Sequence, residues 1–224
     1  MKNSNKGASR REVLVAGAAA GLLVSPLGKL AQAAELLAPT PEQTSGPFYP
    51  LSIPLDHDSD LVRVAGKLAE AFGKVTHIYG TVVNPEGKPI EGATVEFWQC
   101  DNSGKYNHPR DPQPQQFDDK FQGYGRTTTT ADGAYRFRTI KPVPYDAPGV
   151  GTRAPHIHFK VAAEGYEELT SQLYIAGEQQ NLQDFIFMQE TPADRLRLLV
   201  NLVEAPEVED DAVKGSFQIV LKPL

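Results

Sequence analysis

Two histidines separated by one residue, His156 and His158, carry the chain's sharpest chemical signal. They sit in Arg153-Ala154-Pro155-His156-Ile157-His158-Phe159, and along a strand, where side chains alternate between faces, both imidazoles project from one side. Two imidazoles so placed can share one metal ion; in other settings such a pair is simply two surface or core histidines. Further ligands must then come from elsewhere. The single cysteine, Cys100, rules out a thiolate cluster and any intrachain disulfide. No carboxylate stands at helical ligand spacing beside a histidine, so the usual zinc signatures are missing. Tyrosine remains as a donor.

The elements that would position these residues are short strands. From Val75 the chain alternates, with Ile78, Gly80 and Val82 against His77, Tyr79 and Thr81. Asn84-Pro85-Glu86-Gly87 turns it, and Ala93, Val95 and Phe97 then alternate with Thr94, Glu96 and Trp98, which reads as a hairpin. A second unit runs through Thr127 to Thr130, turns at Asp132-Gly133, and continues with Tyr135 and Phe137 facing opposite to Arg136 and Arg138. His156 to Val161, Ser171 to Ile175, and the alternating Phe217, Ile219 and Leu221 read as further strands. This predicts a mostly-β chain, a β-sandwich with long loops and little helix. Asp194 to Val203 is the best helical segment, and the polar, Pro-rich stretch from Asn102 to Gln122 reads as a loop long enough to carry function.

Composition agrees with one turn-rich globular domain. Of 224 residues, 40% are hydrophobic and 22% charged, with 19 Gly and 18 Pro, which excludes disorder, coiled coil and collagen. Residues 1–33 carry Lys2, Lys6, Arg10, Arg11 and Lys29 against Glu12, so the remainder holds nearly all the acid and a nucleic-acid partner is not expected. Ser9-Arg10-Arg11-Glu12-Val13 opens an Ala- and Gly-rich run that ends at Lys29 and Ala31-Gln32-Ala33-Ala34, resembling a twin-arginine export signal. Cleavage is expected near Ala33, leaving an amino-terminal arm over 34–73, a catalytic sandwich over 74–224 and no membrane span in the mature chain. A periplasmic or extracellular location follows from that reading. Proteins exported by this route generally travel folded, often with a cofactor inserted.

Several motifs occur together and in order: Thr40-Pro41-Glu42-Gln43-Thr44-Ser45-Gly46-Pro47-Phe48; Val95-Glu96-Phe97-Trp98-Gln99 with Gly104-Lys105-Tyr106; Gly125-Arg126-Thr127; Tyr135 through Tyr145; Arg153 to Phe159; and Ser171-Gln172-Leu173-Tyr174. With these the chain resembles the intradiol ring-cleavage dioxygenases, over roughly residues 40 to 180. The resemblance implies a non-haem Fe(III) centre held by Tyr106, Tyr145, His156 and His158. A phenol ordinarily loses its proton near pH 10, and two phenolates with a bound hydroxide formally neutralise a ferric ion. It further implies that Tyr145 is the labile tyrosinate, that Arg153 stabilises negative charge developing on the ring, that Gln172 supports the site from behind, and that Pro47 and Phe48 border the substrate. The expected partners are a catechol-type aromatic diol and O2, with cleavage between the hydroxylated carbons and a homo-oligomer possible.

Two other readings predict different molecules. A transthyretin-like binding module shares the strand pattern and predicts a colourless protein whose histidines are structural. A zinc or copper hydrolase using His156 and His158 lacks a carboxylate base at recognisable spacing. The chain departs from the protocatechuate enzymes in reading Tyr145-Asp146-Ala147-Pro148, without a tryptophan soon after the tyrosine. His57, His77 and His108 are read as structural, and Cys100 as a small buried residue.

Overall fold

A computed structural model describes residues 36–147 and 149–224. The expected export signal, residues 1–33, lies outside the described residues. Helix is scarce, about 8%, and no described helix is long and apolar enough to cross a membrane.

The strands are β1 (Val75–Val83), β2 (Thr94–Trp98), β3 (Tyr124–Thr128), β4 (Ala134–Ile140), β5 (Tyr145–Ala147), β6 (Gly151–Arg153), β7 (His156–Ala162), β8 (Leu169–Ile175), β9 (Leu199–Val200), β10 (Val203–Glu204), β11 (Val213–Ser216) and β12 (Ile219–Val220). Two short helices, α1 (Phe185–Gln189) and α2 (Pro192–Arg197), lie between β8 and β9. One five-stranded sheet is built on β1, which runs antiparallel to β4 on one edge and parallel to β11 and then β12 on the other. Where β1 changes partner, a Cβ on Gly80 would stand 1.8 Å from the Phe217 carbonyl oxygen, so only glycine fits. The second sheet has the order β3-β2-β7-β8-β9, and β5 pairs with β6 in a separate hairpin.

Period-two alternation decides what each face meets. Ile78, Val82 and Phe137 from the first sheet and Val95, Phe97, Ile157, Phe159, Val161 and Leu173 from the second share one buried core. Phe97 stacks on Phe137 across the two sheets at 4.1 Å between centroids.

The expected hairpin of β1 with β2 is not formed. β1 and β2 lie in different sheets, as do β3 and β4, so the turns at 84–87 and 132–133 carry the chain across the sandwich. Alternation identifies a strand and its buried face but not its neighbour. The helix expected from Asp194 lies earlier, at Pro192–Arg197, because Thr191 caps it and Leu199 already pairs beside β8. The five-residue α1 and four-residue β11 were too short to leave a periodic signal.

On the outer face of the first sheet, Arg138 donates to Asp60 at 3.0 Å, to Glu70 at 3.1 Å and to Glu209 at 2.8 and 2.5 Å. His77 sits between Glu209, 3.0 Å from its Nε2, and Arg136, 3.0 Å from its Nδ1. This network ties the arm (Asp60, Glu70) and the chain before β11 (Glu209) to β1 and β4.

Candidate metal centre

The same alternation that aims Ile157 and Phe159 into the core turns His156 and His158 to the outer face of the second sheet. Register sets their neighbours: Trp98 and Gln172 flank His158, and Tyr174 lies beside His156. Trp98 stacks on the His158 ring at 5.0 Å with an interplanar angle of 8°. The β5–β6 hairpin pairs Tyr145 with Arg153 and brings both to this face. Tyr106 arrives from the long loop, where Asp111 accepts its backbone N–H at 2.6 Å and Asp101 accepts those of Ser103 and Lys105.

All four expected ligands meet. The Nε2 atoms of His156 and His158 are 3.2 Å apart, and Tyr106 Oη is 3.5 Å from His156 Nε2. The Tyr106 and Tyr145 rings are 5.4 Å apart, edge to face, and Tyr145 lies 5.7 Å from the His156 ring. His156 Nδ1 donates to the Ala154 carbonyl at 2.6 Å, which fixes the tautomer and leaves the Nε2 lone pair pointing at its partners. His158 Nδ1 is buried without a partner.

Electrostatics explains why this cluster suits a cation. Burial, with the Arg153 charge nearby, holds both imidazoles well below the ordinary histidine range, so they are neutral donors. Burial pushes the Tyr145 phenol up to about 12 and the Tyr106 phenol well above its ordinary value. Only a strong Lewis acid in their midst would ionise them at neutral pH. Two imidazole ligands about 2.1 Å from a first-row ion and near right angles stand about 3 Å apart, which the His156–His158 separation matches. Among the described residues no group of three or more His, Cys, Asp or Glu side chains is placed to hold a metal, and the oxygen atoms beside the two histidines are the phenols of Tyr106 and Tyr145.

Behind the ligands lies a buried polar chain. Arg153, 4% exposed, donates from Nη2 to Gln172 Oε1 at 2.5 Å and to Tyr174 Oη at 3.3 Å. Its Nε donates to Asp184 at 2.9 Å. Asp184, fully buried, also accepts from the Ala154 N–H at 2.8 Å and caps α1 through the N–H groups of Ile186 and Phe187. One carboxylate thus fixes the arginine, the peptide that orients His156, and the helix beside the site. Sequence reading missed Asp184: it lies 26 residues past His158 on no recognisable motif, and only its place before the unforeseen α1 could have marked it as a cap.

The arm closes the site. Gln172 Nε2 donates to the Thr44 carbonyl at 3.2 Å, and Gly46, at φ +63°, would place a Cβ 3.4 Å from the His158 ring. Phe48 packs on Tyr106 at 4.7 Å. Pro47 is exposed, and its carbonyl accepts from Arg110 at 3.1 Å, so of the two arm residues Phe48 touches the ligand set. Two cavities flank the cluster. One of about 430 Å³ reaches Phe48, Trp98, Tyr106 and His108. The other, about 570 Å³, opens between the arm at Thr44, the hairpin at Val150 and α1 at Phe185 and Ile186. Cys100 is buried with its thiol pushed up to about 12, as an inert residue should be. His57 and His77 bond elsewhere in the chain, while His108, which lines the same cavity as Tyr106, accepts the Arg110 N–H at Nδ1 and leaves Nε2 buried without a partner.

Comparison with known proteins agrees with this geometry. The protocatechuate 3,4-dioxygenase beta chain of Burkholderia cepacia is 36% identical over 172 residues, covering 75% of this chain and 72% of that one. Catechol 1,2-dioxygenase 1 of Acinetobacter lwoffii is 35% identical over 161 residues, covering 66% of this chain but only 50% of the relative. Among solved structures, the dioxygenase domain of a dioxygenase carbohydrate-binding protein fusion from Streptomyces sp. SirexAA-E aligns with a TM-score of 0.63 and 32% identity, covering 84% of this chain and 100% of that one. The 3-chlorocatechol 1,2-dioxygenase of Rhodococcus opacus 1CP aligns with a TM-score of 0.64 and 25% identity, covering 82% and 72%. The family described as "Dioxygenase" matches residues 44–223, a span that contains every residue of the cluster, and the chain therefore belongs to the intradiol ring-cleaving dioxygenases.

Proposed function

We propose that the chain is a non-haem Fe(III) dioxygenase that cleaves a catechol-type diol between its two hydroxylated carbons, placing both atoms of O2 in a cis,cis-muconate-type diacid. The observation that carries this is the convergence of two lone-pair nitrogens 3.2 Å apart with a phenol oxygen 3.5 Å from one of them, beside a second phenol. Tyr106, Tyr145, His156 and His158 would hold the ion. When bound, ferric iron supplies Lewis acidity that ionises phenols and draws electron density from a chelated diol, making the ring itself reactive toward O2.

The chain's own residues set up the rest. His156 is locked by Ala154 with its lone pair outward, so no rotation is needed to receive a ligand. Tyr145 would be one of the ligands, and its phenol oxygen is suited to hold a proton, since burial makes the phenol a weak acid. Arg153, already fixed by Asp184 and Gln172, offers a preorganised positive charge to an anionic ring. Phe48, Trp98 and the arm keep water from the ligand set. Export across a membrane is supported by Arg10-Arg11 and the run that follows, and a periplasmic fraction containing a shortened chain would test it.

Metal analysis with a visible spectrum tests the centre: one iron per chain and a broad red-to-burgundy band are expected. Oxygen uptake with catechol, protocatechuate and hydroxyquinol tests the reaction. An iron-loaded chain that consumes no oxygen with any of the three would end this reading.

A further inference from the structure

A cavity opens between the arm, the β5–β6 hairpin and α1, one hydrogen-bonded residue away from Gln172 and Tyr174 beside the histidines. Its walls belong to the elements that hold the reacting groups: Val150 lies between the strands of Tyr145 and Arg153, Thr44 accepts from Gln172, and Ile186 is held by the carboxylate that holds Arg153. Neither cavity is lined by Tyr145, Arg153, His156 or Gln172; the 430 Å³ one is lined by Tyr106 and Trp98, and this one is joined to Gln172 and Tyr174 through Thr44 and Gln43. At about 570 Å³ the first is roomier than a single ring needs and falls in the range of about 300–1,000 Å³ that takes larger ligands.

Its chemistry is one-sided. Phe185 is 61% exposed and Val150 44% exposed, and together with Ile186 they give an apolar wall. The charged lining residues are Glu42 and Glu190, and no lysine or arginine lines it. Gln43 Nε2 donates to Glu190 Oε1 at 3.0 Å while Gln43 Oε1 accepts from Tyr174 Oη, so the Glu190 carboxylate is anchored to the polar chain behind the ligands. Arg195 donates to the Glu190 carbonyl and the Met188 sulfur rather than to the carboxylate. Arg153, the cation nearest the ligands, is already engaged by Asp184 and Gln172.

Resting on the dioxygenase reading, we propose that this mouth selects uncharged aromatic diols bearing an apolar substituent and rejects ring carboxylates, with Glu42 and Glu190 as the excluding charges and Phe185, Ile186 and Val150 as the receiving surface. A carboxylate on the ring would meet two like charges and an apolar wall that cannot solvate it. A methyl or aryl substituent would bury area against Phe185 and Val150.

The test compares 4-methylcatechol with protocatechuate, which differ at one ring position by methyl against carboxylate. At low ionic strength the iron-loaded chain is expected to show a kcat/KM for protocatechuate about ten-fold or more below that for 4-methylcatechol. The substitution pair Glu42→Gln/Glu190→Gln keeps an acceptor for Gln43 and is expected to raise the protocatechuate-to-4-methylcatechol ratio by about three- to ten-fold. In the unsubstituted chain, salt near 1 M, where the screening length is about 3 Å, is expected to raise the same ratio. Taking a ratio cancels differences in iron loading. Equal efficiency with both diols, or a ratio that neither the substitutions nor salt moves, overturns the selectivity. An iron-loaded chain that turns over neither diol overturns the dioxygenase reading itself, which is a separate result.

Discussion

On the outer face of the first sheet, Arg138 is met by carboxylates from Asp60, Glu70 and Glu209, and His77 is held between Glu209 and Arg136. On the outer face of the second, His156 and His158 turn their Nε2 atoms toward each other beside two phenols, and His158 Nδ1 has no partner. Both faces bury polar groups under the arm. The first completes its hydrogen bonds and charges from within the chain, so it acts as a fastening. The second gathers lone pairs and weakly acidic phenols that little else among the described residues satisfies, and a strong cation is what that set of donors fits.

Breaking the two faces separately should give different phenotypes. The largest effect is expected from Asp184→Ala, which leaves the Arg153 guanidinium buried and unpaired and uncaps α1. It should cost about 3–5 kcal/mol in denaturant unfolding. Tyr106→Phe removes a proposed ligand without changing shape: iron affinity should fall at least about 100-fold, with loss of colour, while the metal-free chain unfolds at an unaltered midpoint. Arg138→Met is the opposite case. It should lower stability by about 2–3 kcal/mol and leave the visible spectrum of the loaded chain unchanged.

Acid sharpens the contrast. Hydrogen bonds from Arg138 hold the Glu209 carboxyl at about 2, below its ordinary 4.5. A carboxyl depressed in the folded chain contributes stability that is complete above about pH 4.5 and is lost as pH falls toward 2. The Arg138→Met chain should lose less stability across that window than the unsubstituted one, measured as unfolding free energy against pH. The smallest effect belongs to Cys100, whose buried thiol should resist alkylation in the folded chain at pH 7 and react after unfolding.

Much of the site was legible in the sequence because its parts have local signatures. His156 and His158 sit two apart on a strand, whereas Tyr106, Tyr145, Arg153 and Gln172 were marked only by the motifs that resemble the intradiol family. The strands themselves, and the buried side of each, followed from alternation in Ile78/Val82, Val95/Phe97 and Tyr135/Phe137. Partnership did not. β1 turns away from β2 and takes β4, β11 and β12 instead, a choice made by the packing of two sheets rather than by the turn at 84–87. Asp184 escaped notice, and Tyr174 and Gln43 stood inside the quoted motifs without a role of their own, for the same reason: each matters through side chains brought near it by the tertiary fold.

The arm has a consequence in time as well as in space. Thr40 and Gln43 are bonded by backbone amides to Val220 and Thr170, Ser171 Oγ donates to the Pro41 carbonyl, and Tyr49 donates to Glu96, so the strap is stitched on both sides of the stretch that covers His158 and Tyr106. An ion released from the ligands on that side must wait for the strap to come loose. Exchange of iron with solution should then run at the pace of a local opening, and its half-life should lengthen and shorten in step with deuterium uptake at the Thr40 and Gln43 amides.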